Sequence, residues 1–392
     1  MPTARPPRPR PAAALLAQDD ARRFLVAHHG LDRSALPRGA PGVRALLAKL
    51  RCIQLDPLDV LGTNADLVAL ARVDGLSRGD VYRHLLPGHA FEHFAKERCL
   101  LPASAFPYYR AQAVEAPWFR RSSRLERVGE TVVAAVLGEV RERGPVTASD
   151  LTHHGQVEPL DWHGWKSTAR ATTMALDVLW ARCQIVVAGR SSRGKLFDLP
   201  ERALPEVANL PASDFARWAL LERVEAAGLL SRRGGAHWSM LSEVRTSALP
   251  DQLVEEGLLE EVELPGSPRR YLAPRGFRDR PLRRLDARLR ILGPLDPMLW
   301  DRDLVEQTFG FEYVWEVYKP AHQRRWGWYV VPLLHQGWLV GRIEAVVEND
   351  SLKVKNLWPD EHRALDRDAL IEALERHAAA CGATKVVLPR KG

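Results

Sequence analysis

Between Thr131 and Arg143 the apolar residues Val132, Val133, Val136, Leu137 and Val140 recur at steps of three and four. Polar residues fill most of the positions between, so the segment predicts a helix with one apolar face. Gly144-Pro145 ends it, and Thr147-Ala148-Ser149-Asp150-Leu151 reads as the start of another helix, with Thr147 or Ser149 as cap. A further stripe of Ala171, Met174, Ala175, Val178 and Leu179 predicts a helix over Thr168 to Cys183. The period then shortens. Ile185-Val186-Val187 and Lys195-Leu196-Phe197-Asp198-Leu199 flank the turn-forming run Gly189 to Gly194, which predicts a hairpin. Helix-turn-helix followed by a basic hairpin is the layout of a winged helix.

The same layout recurs more loosely on both sides. Helices are expected over Asp19–His28 and Val43–Lys49, ahead of an extended segment at Gln54. Helices over Asp214–Ala227 and Ser247–Glu256 precede a hairpin, Leu259–Leu264 and Arg269–Leu272, joined through Pro265-Gly266-Ser267-Pro268. The last hundred or so residues change character. Tyr313–Lys319, Trp326–Leu334, Trp338–Glu348 and Leu352–Leu357 are rich in Trp, Tyr and Val and predict strands, followed by a helix over Arg367–Cys381 and a strand over Lys385–Leu388. The expected fold class is mainly α with β: tandem winged-helix (helix-turn-helix) domains plus a C-terminal β-rich α+β module. The expected boundaries are a flexible N-terminal arm (1–15), three winged-helix regions (16–124, 125–205 and 206–275), and a basic linker with the β-rich module (276–392).

Length and charge narrow this further. A chain of 392 residues exceeds one ordinary core, so several domains are expected. A net charge of +7 favours an anionic partner, nucleic acid first. Arginine dominates, 47 against 9 lysines, which a GC-rich genome would also produce. Placement is more informative: Arg269 to Arg290 carries nine Arg against two Asp, either a phosphate-tracking strip or a solvated connector. Cys52, Cys99, Cys183 and Cys381 share no metal-ligand spacing and call for no disulfide framework, as in a reducing cytoplasm. No stretch reaches the ~18 apolar residues of a membrane span. The run Ala12 to Ala17 is too short for a signal peptide. Neither metal nor other cofactor is expected.

The most informative stretch is Gln54-Leu55-Asp56, within Arg51-Cys52-Ile53-Gln54-Leu55-Asp56-Pro57. In an extended segment residues i and i+2 share a face, so amide and carboxylate would project together while Ile53 and Leu55 turn to the core. Three more motifs follow in order: Phe91-Glu92-His93-Phe94-Ala95-Lys96-Glu97-Arg98-Cys99-Leu100-Leu101-Pro102, Leu295-Asp296-Pro297-Met298-Leu299-Trp300-Asp301-Arg302 and Phe309-Gly310-Phe311. Together these resemble the YcaQ-type winged-helix DNA glycosylases over roughly residues 15 to 390. The resemblance implies a C-shaped DNA-binding concavity and cleavage of the N-glycosidic bond of N7-alkylated purines, including those in interstrand crosslinks. Asp56 fits the family's Gln-x-Asp branch, which acts on nitrogen-mustard crosslinks and monoadducts, rather than its Gln-x-Gln branch. Lys96 departs from the pattern, which carries His there, and this weakens any catalytic role for the position.

The chemistry suits those residues. An N7-alkylguanine is already cationic, so it leaves without protonation through an oxocarbenium-like sugar. Asp56 can oppose that charge and take a proton from water; Gln54 can hold the water. A crosslinked base cannot swing fully into a closed pocket, so the usual flipping scheme should fail and the site should be open. The bland alternative is that both side chains merely cap neighbouring backbone. For DNA contact, Arg190, Arg193 and Lys195 of the middle hairpin, Trp300, Asp301 and Arg302, and the Arg324-Arg325 pair at an expected hairpin tip are candidates. His153-His154 reads as a loop or phosphate contact. The expected partner is double-stranded DNA bearing N7-alkylpurine lesions or crosslinks, met by a monomer with no membrane involved. The rival readings are a non-catalytic winged-helix regulator and an RNA-binding module.

Overall fold

The computed structural model describes residues 13–32, 36–115, 121–159, 168–282 and 284–389, except the side chains of 114, 115, 121 and 122. Of the expected N-terminal arm, residues 1–12 lie outside this set. Ala14–Leu15 at its end form a strand, paired in parallel with Val262 and Glu263. The fold is mixed α/β. It divides into two compact units, one of Met1–Val81, Phe94–Cys99 and Ala216–Gly392, the other of Tyr82–His93 and Leu100–Phe215. No helix among the described residues is long and apolar enough to cross a membrane.

Two sheets lie wholly within the first unit among the described residues. One has the order Ala14–Leu15, Leu259–Glu263, Arg270–Pro274, Leu230–Ser231. The other has five strands in the order Arg290–Ile291, Val330–His335, Trp338–Glu348, Ser351–Pro359, Lys385–Val387. Its pairings are antiparallel except the last, which needs a crossover and receives one in the helix Arg367–Ala380. Asp366 starts that helix by accepting the Ala369 N–H at 3.0 Å. Tyr329, Val331, Leu333, Ile343, Leu352 and Leu374 form a core between helix and sheet.

The second unit is built on the helices Phe106–Glu115, Arg121–Val128, Glu130–Arg143 and Ala171–Ala181 and the hairpin Val186–Ser191 with Gly194–Asp198. Val133, Val136 and Val140 are buried, as their spacing requires. Gly194 turns the hairpin at a φ of 118°, which a side chain would resist. Val146 bridges to Phe197 as an isolated extra contact on the hairpin.

Five expected elements differ. Thr147–Leu151 forms a turn, not a helix, because Asp150 folds back to accept from the Thr147 N–H at 2.9 Å and its hydroxyl at 2.8 Å. The helix expected over Ser247–Glu256 starts two residues later, as Leu249–Glu255, with Ser247 Oγ accepting the Leu249 N–H ahead of it, and a separate short helix, Ser242–Thr246, precedes it. Thr168–Cys183 contains the helix Ala171–Ala181 preceded by a short strand, Ala169–Arg170. Tyr313–Lys319 and Trp326–Tyr329 are loop rather than strand. Glu316, buried in that loop, accepts from the Trp326 N–H at 2.8 Å and from Lys319 at 2.9 Å and folds the segment back on itself. Tyr313 is buried in the core and Trp315 packs against it from the loop, although no strand periodicity carries them.

Candidate active site and nucleic-acid interface

The helix Gly39–Leu50 ends at Arg51, whose φ of 63° lies in the left-handed region, and the chain enters the short strand Ile53–Gln54. A non-glycine residue there costs roughly 1–2 kcal/mol, so packing on either side holds the turn. The turn between the strands Ala90–Ala95 and Glu97–Pro102 belongs to the same unit, and Leu55 N donates to Arg98 O at 2.8 Å. Asn64, fully buried at the start of the helix Asn64–Leu70, supports the strand. Its Nδ2 donates to Gln54 O at 2.7 Å and its Oδ1 accepts from Leu295 N at 3.0 Å. Gly293 makes room for this amide, since a Cβ there would stand 2.6 Å from Asn64 Oδ1.

The expected alternation along Ile53-Gln54-Leu55-Asp56 is only partly realised. Ile53 is buried, but so is Gln54 at 6% exposure, while Leu55 is half-buried rather than turned fully to the core. The reason is Lys96, whose Nζ donates to Gln54 Oε1 at 2.8 Å and which is itself buried. The Gln54 amide nitrogen has no hydrogen-bond partner among the described residues. The Lys96 ammonium lies 5.4 Å from the centre of the Trp300 ring. Burial brings its pKa down to about 8, opposed by the Cys99 thiol; Arg302 and Arg223 lower it further and Glu97 raises it.

Asp56 is half-buried. Its Oδ1 accepts the Leu58 N–H at 2.9 Å, and no other hydrogen bond or ion pair holds the carboxylate among the described residues. The bond is the local cap that the bland reading anticipates, yet it leaves the second oxygen available. Burial raises the pKa of Asp56 above its ordinary value, and the Leu58 N–H offsets part of that. Tyr318 is 80% exposed in the loop before the sheet. Burial and then the Asp56 charge raise its pKa, so the phenol lies within electrostatic reach of the carboxylate.

The DNA-contact candidates are engaged with protein. Trp300 is buried, and its Nε1 donates to Leu295 O at 3.2 Å. Asp301 caps the helix Arg302–Phe309 through the Leu304 N–H at 3.2 Å, with Arg269 at 3.9 Å. Arg302 donates to Pro294 O at 3.0 Å and lies 4.4 Å over the Tyr313 ring; burial lowers its pKa. In the second unit, Arg190 and Lys195 both pair with Glu92, whose side chain is wholly buried, and Arg190 also covers the Tyr82 ring at 4.2 Å. Arg193 pairs with Asp150 at 2.5 Å. Arg324 donates to Lys319 O at 2.8 Å, and Arg325 pairs with Glu312 at 2.9 Å while covering Trp326. These two lie in the loop after the 3-10 turn Ala321–Gln323, not at a hairpin tip. Among the described residues no group of three or more His, Cys, Asp or Glu side chains is placed to hold a metal ion.

Sequence reasoning missed three supports of the site. Asn64 carried no chemical signal, only its place beside the Thr63 and Asp66 capping box. Arg72 and Asp296 form a bidentate pair at 2.7 and 2.8 Å with both side chains at 0% exposure, although Asp296 stood in a quoted motif. Lys96 stood in another, and its partner could not be read from there.

Comparison with known proteins puts this chain among the DNA glycosylases that act in repair: residues 47–380 match the family model described as DNA glycosylase AlkZ-like. The chain belongs to that AlkZ-like family, which bears out the resemblance carried by its motifs. Among solved structures it is similar to the DNA glycosylase AlkZ of Streptomyces sahachiroi, with 18% identity and a TM-score of 0.62 over 95% of this chain and 99% of that one. At that identity the likeness is one of fold.

Proposed function

We propose that this protein is a monofunctional glycosylase that releases N7-alkylated, cationic purines from double-stranded DNA, crosslinked purines included, without full base flipping. Gln54 and Asp56 carry the reaction. The C1′–N9 bond breaks with its electron pair passing to the purine, which leaves neutral. Water attacks C1′, and its proton passes to the Asp56 carboxylate. Asp56 also opposes the positive charge that develops on the sugar. The observation that carries this reading is the Asp56 carboxylate itself, half-buried, anchored through one oxygen at 2.9 Å by a backbone N–H, two residues from Gln54.

The helix Glu130–Arg143, the helix Ala171–Ala181 and the hairpin Val186–Asp198 support a winged-helix reading of the middle region. Phosphate contact through Arg190, Lys195, Arg193 or Arg325 would exchange an existing carboxylate partner for DNA, so each contributes less to affinity than a solvated cation would. Tandem modules of this kind would serve a monomer on a duplex. The burial of Gln54 favours the rival, a DNA-binding protein without catalysis. Incubation of the purified protein with duplexes carrying N7-methylguanine or a defined nitrogen-mustard crosslink separates the two. Base release that Asp56→Asn slows by about 100-fold or more supports the glycosylase; affinity without release supports the rival.

A further inference from the structure

We propose that Lys96 is a positioning residue that locks the Gln54 side-chain amide with its carbonyl turned inward and its N–H2 turned away, so that Gln54 serves only as a donor. This rests on the reading of Gln54 and Asp56 as the reacting pair. An ammonium has three donors and no acceptor, so a contact of 2.8 Å with an amide is made by the carbonyl end alone. No other side chain hydrogen-bonds the Gln54 amide among the described residues, while its backbone carbonyl is held separately by Asn64 at 2.7 Å. The orientation of the amide therefore depends on Lys96. Both side chains are buried, and leaving the Gln54 carbonyl without a partner there is costly.

The lock divides the labour. With its oxygen occupied, Gln54 cannot compete for the proton of an incoming water. It donates an N–H to the water oxygen, and Asp56 alone receives the proton while the remaining lone pair meets C1′. A freely rotating amide would present its oxygen part of the time and hold the water in the wrong sense. Lys96 also has no carboxylate within ion-pair distance among the described residues, and Trp300 flanks it at 5.4 Å. A lysine kept only for stability would be expected to have such a partner.

The test uses full-length protein labelled with 15N-glutamine, with the Gln54 amide pair assigned by its loss in Gln54→Glu. In Lys96→Met that pair is expected to shift and broaden, and single-turnover release of N7-methylguanine to fall by roughly 10- to 100-fold, the range for a lost hydrogen bond to a charged group. Lys96→Arg retains a donor and should recover most of the rate. Gln54→Glu retains the Lys96 contact but removes the N–H donor, and should be as slow as Lys96→Met. A Gln54 amide pair unmoved in Lys96→Met overturns the proposal, as does a Gln54→Glu variant as fast as wild type. A wild type that releases no base, yet shows the amide shift, overturns the glycosylase reading and leaves the lock standing.

Discussion

Replacing Asp56 by Asn isolates the charge from the shape. The amide oxygen of Asn can still accept the Leu58 N–H that Asp56 Oδ1 accepts at 2.9 Å, so the turn and its volume are kept. On the proposed mechanism, what is lost is a carboxylate facing the sugar cation and a base for the attacking water. Two unit charges ~4 Å apart at an effective dielectric of about 20 interact by roughly 4 kcal/mol. Loss of one preorganised electrostatic contact to a transition state costs about 2.7–4 kcal/mol, or roughly 10²–10³ in rate. Single-turnover release of N7-methylguanine from a duplex should therefore fall by about that factor, with DNA affinity measured at fixed salt unchanged. The wild-type rate should also decline on acidification. Because burial raises the Asp56 pKa, that decline begins at a higher pH than an ordinary aspartate would give, and it should vanish in the variant. An Asn variant that releases base at the wild-type rate with the same pH profile would refute the assignment.

Three further outcomes follow from the packing around the site. The Lys96 pKa falls from 10.5 to about 8 on folding, which corresponds to roughly 3 kcal/mol against the buried ammonium. Between these values the unfolded chain holds a proton that the folded chain does not, so wild-type stability should rise from pH 8 to pH 10.5. Lys96→Met should lose that rise in urea titrations across this range, whatever the unpaired Gln54 carbonyl costs it at pH 7; a variant that keeps the rise would contradict the burial argument. Asp296→Ala leaves Arg72 charged and unpaired at 0% exposure and should destabilise by about 3–5 kcal/mol, seen as a lower urea midpoint. Gly293→Ala sets a methyl 2.6 Å from Asn64 Oδ1 and should cost about 1–3 kcal/mol. By disturbing the Asn64 contact to Gln54 O, it should slow base release more than it weakens DNA binding, which paired rate and affinity measurements will read.

Local pattern determined a good deal of this protein. The stripe Val133, Val136, Val140 gave its helix because a period of 3.6 needs only neighbours on one face. The strand Trp338–Glu348 coincides with its expected bounds, since alternating β-rich residues flanked by turns specify a strand locally. Gln54 and Asp56 could be singled out because a two-residue spacing and four ordered motifs are properties of the chain itself. Tertiary structure alone decided what those residues touch. Lys96 meets Gln54 across 42 positions and Arg72 meets Asp296 across 224, and no local periodicity encodes a contact so distant. For the same reason Tyr313–Lys319 became a loop. Its aromatic composition favoured a strand, but the buried carboxylate of Glu316 drew the backbone around it. The basic residues expected to meet phosphate read as open charges in the sequence, and the fold supplied several of them with carboxylates: Arg190 and Lys195 neutralise Glu92, as a charge so buried requires wherever its partners lie along the chain, while Arg193 and Arg325 pair with Asp150 and Glu312 nearer the solvent.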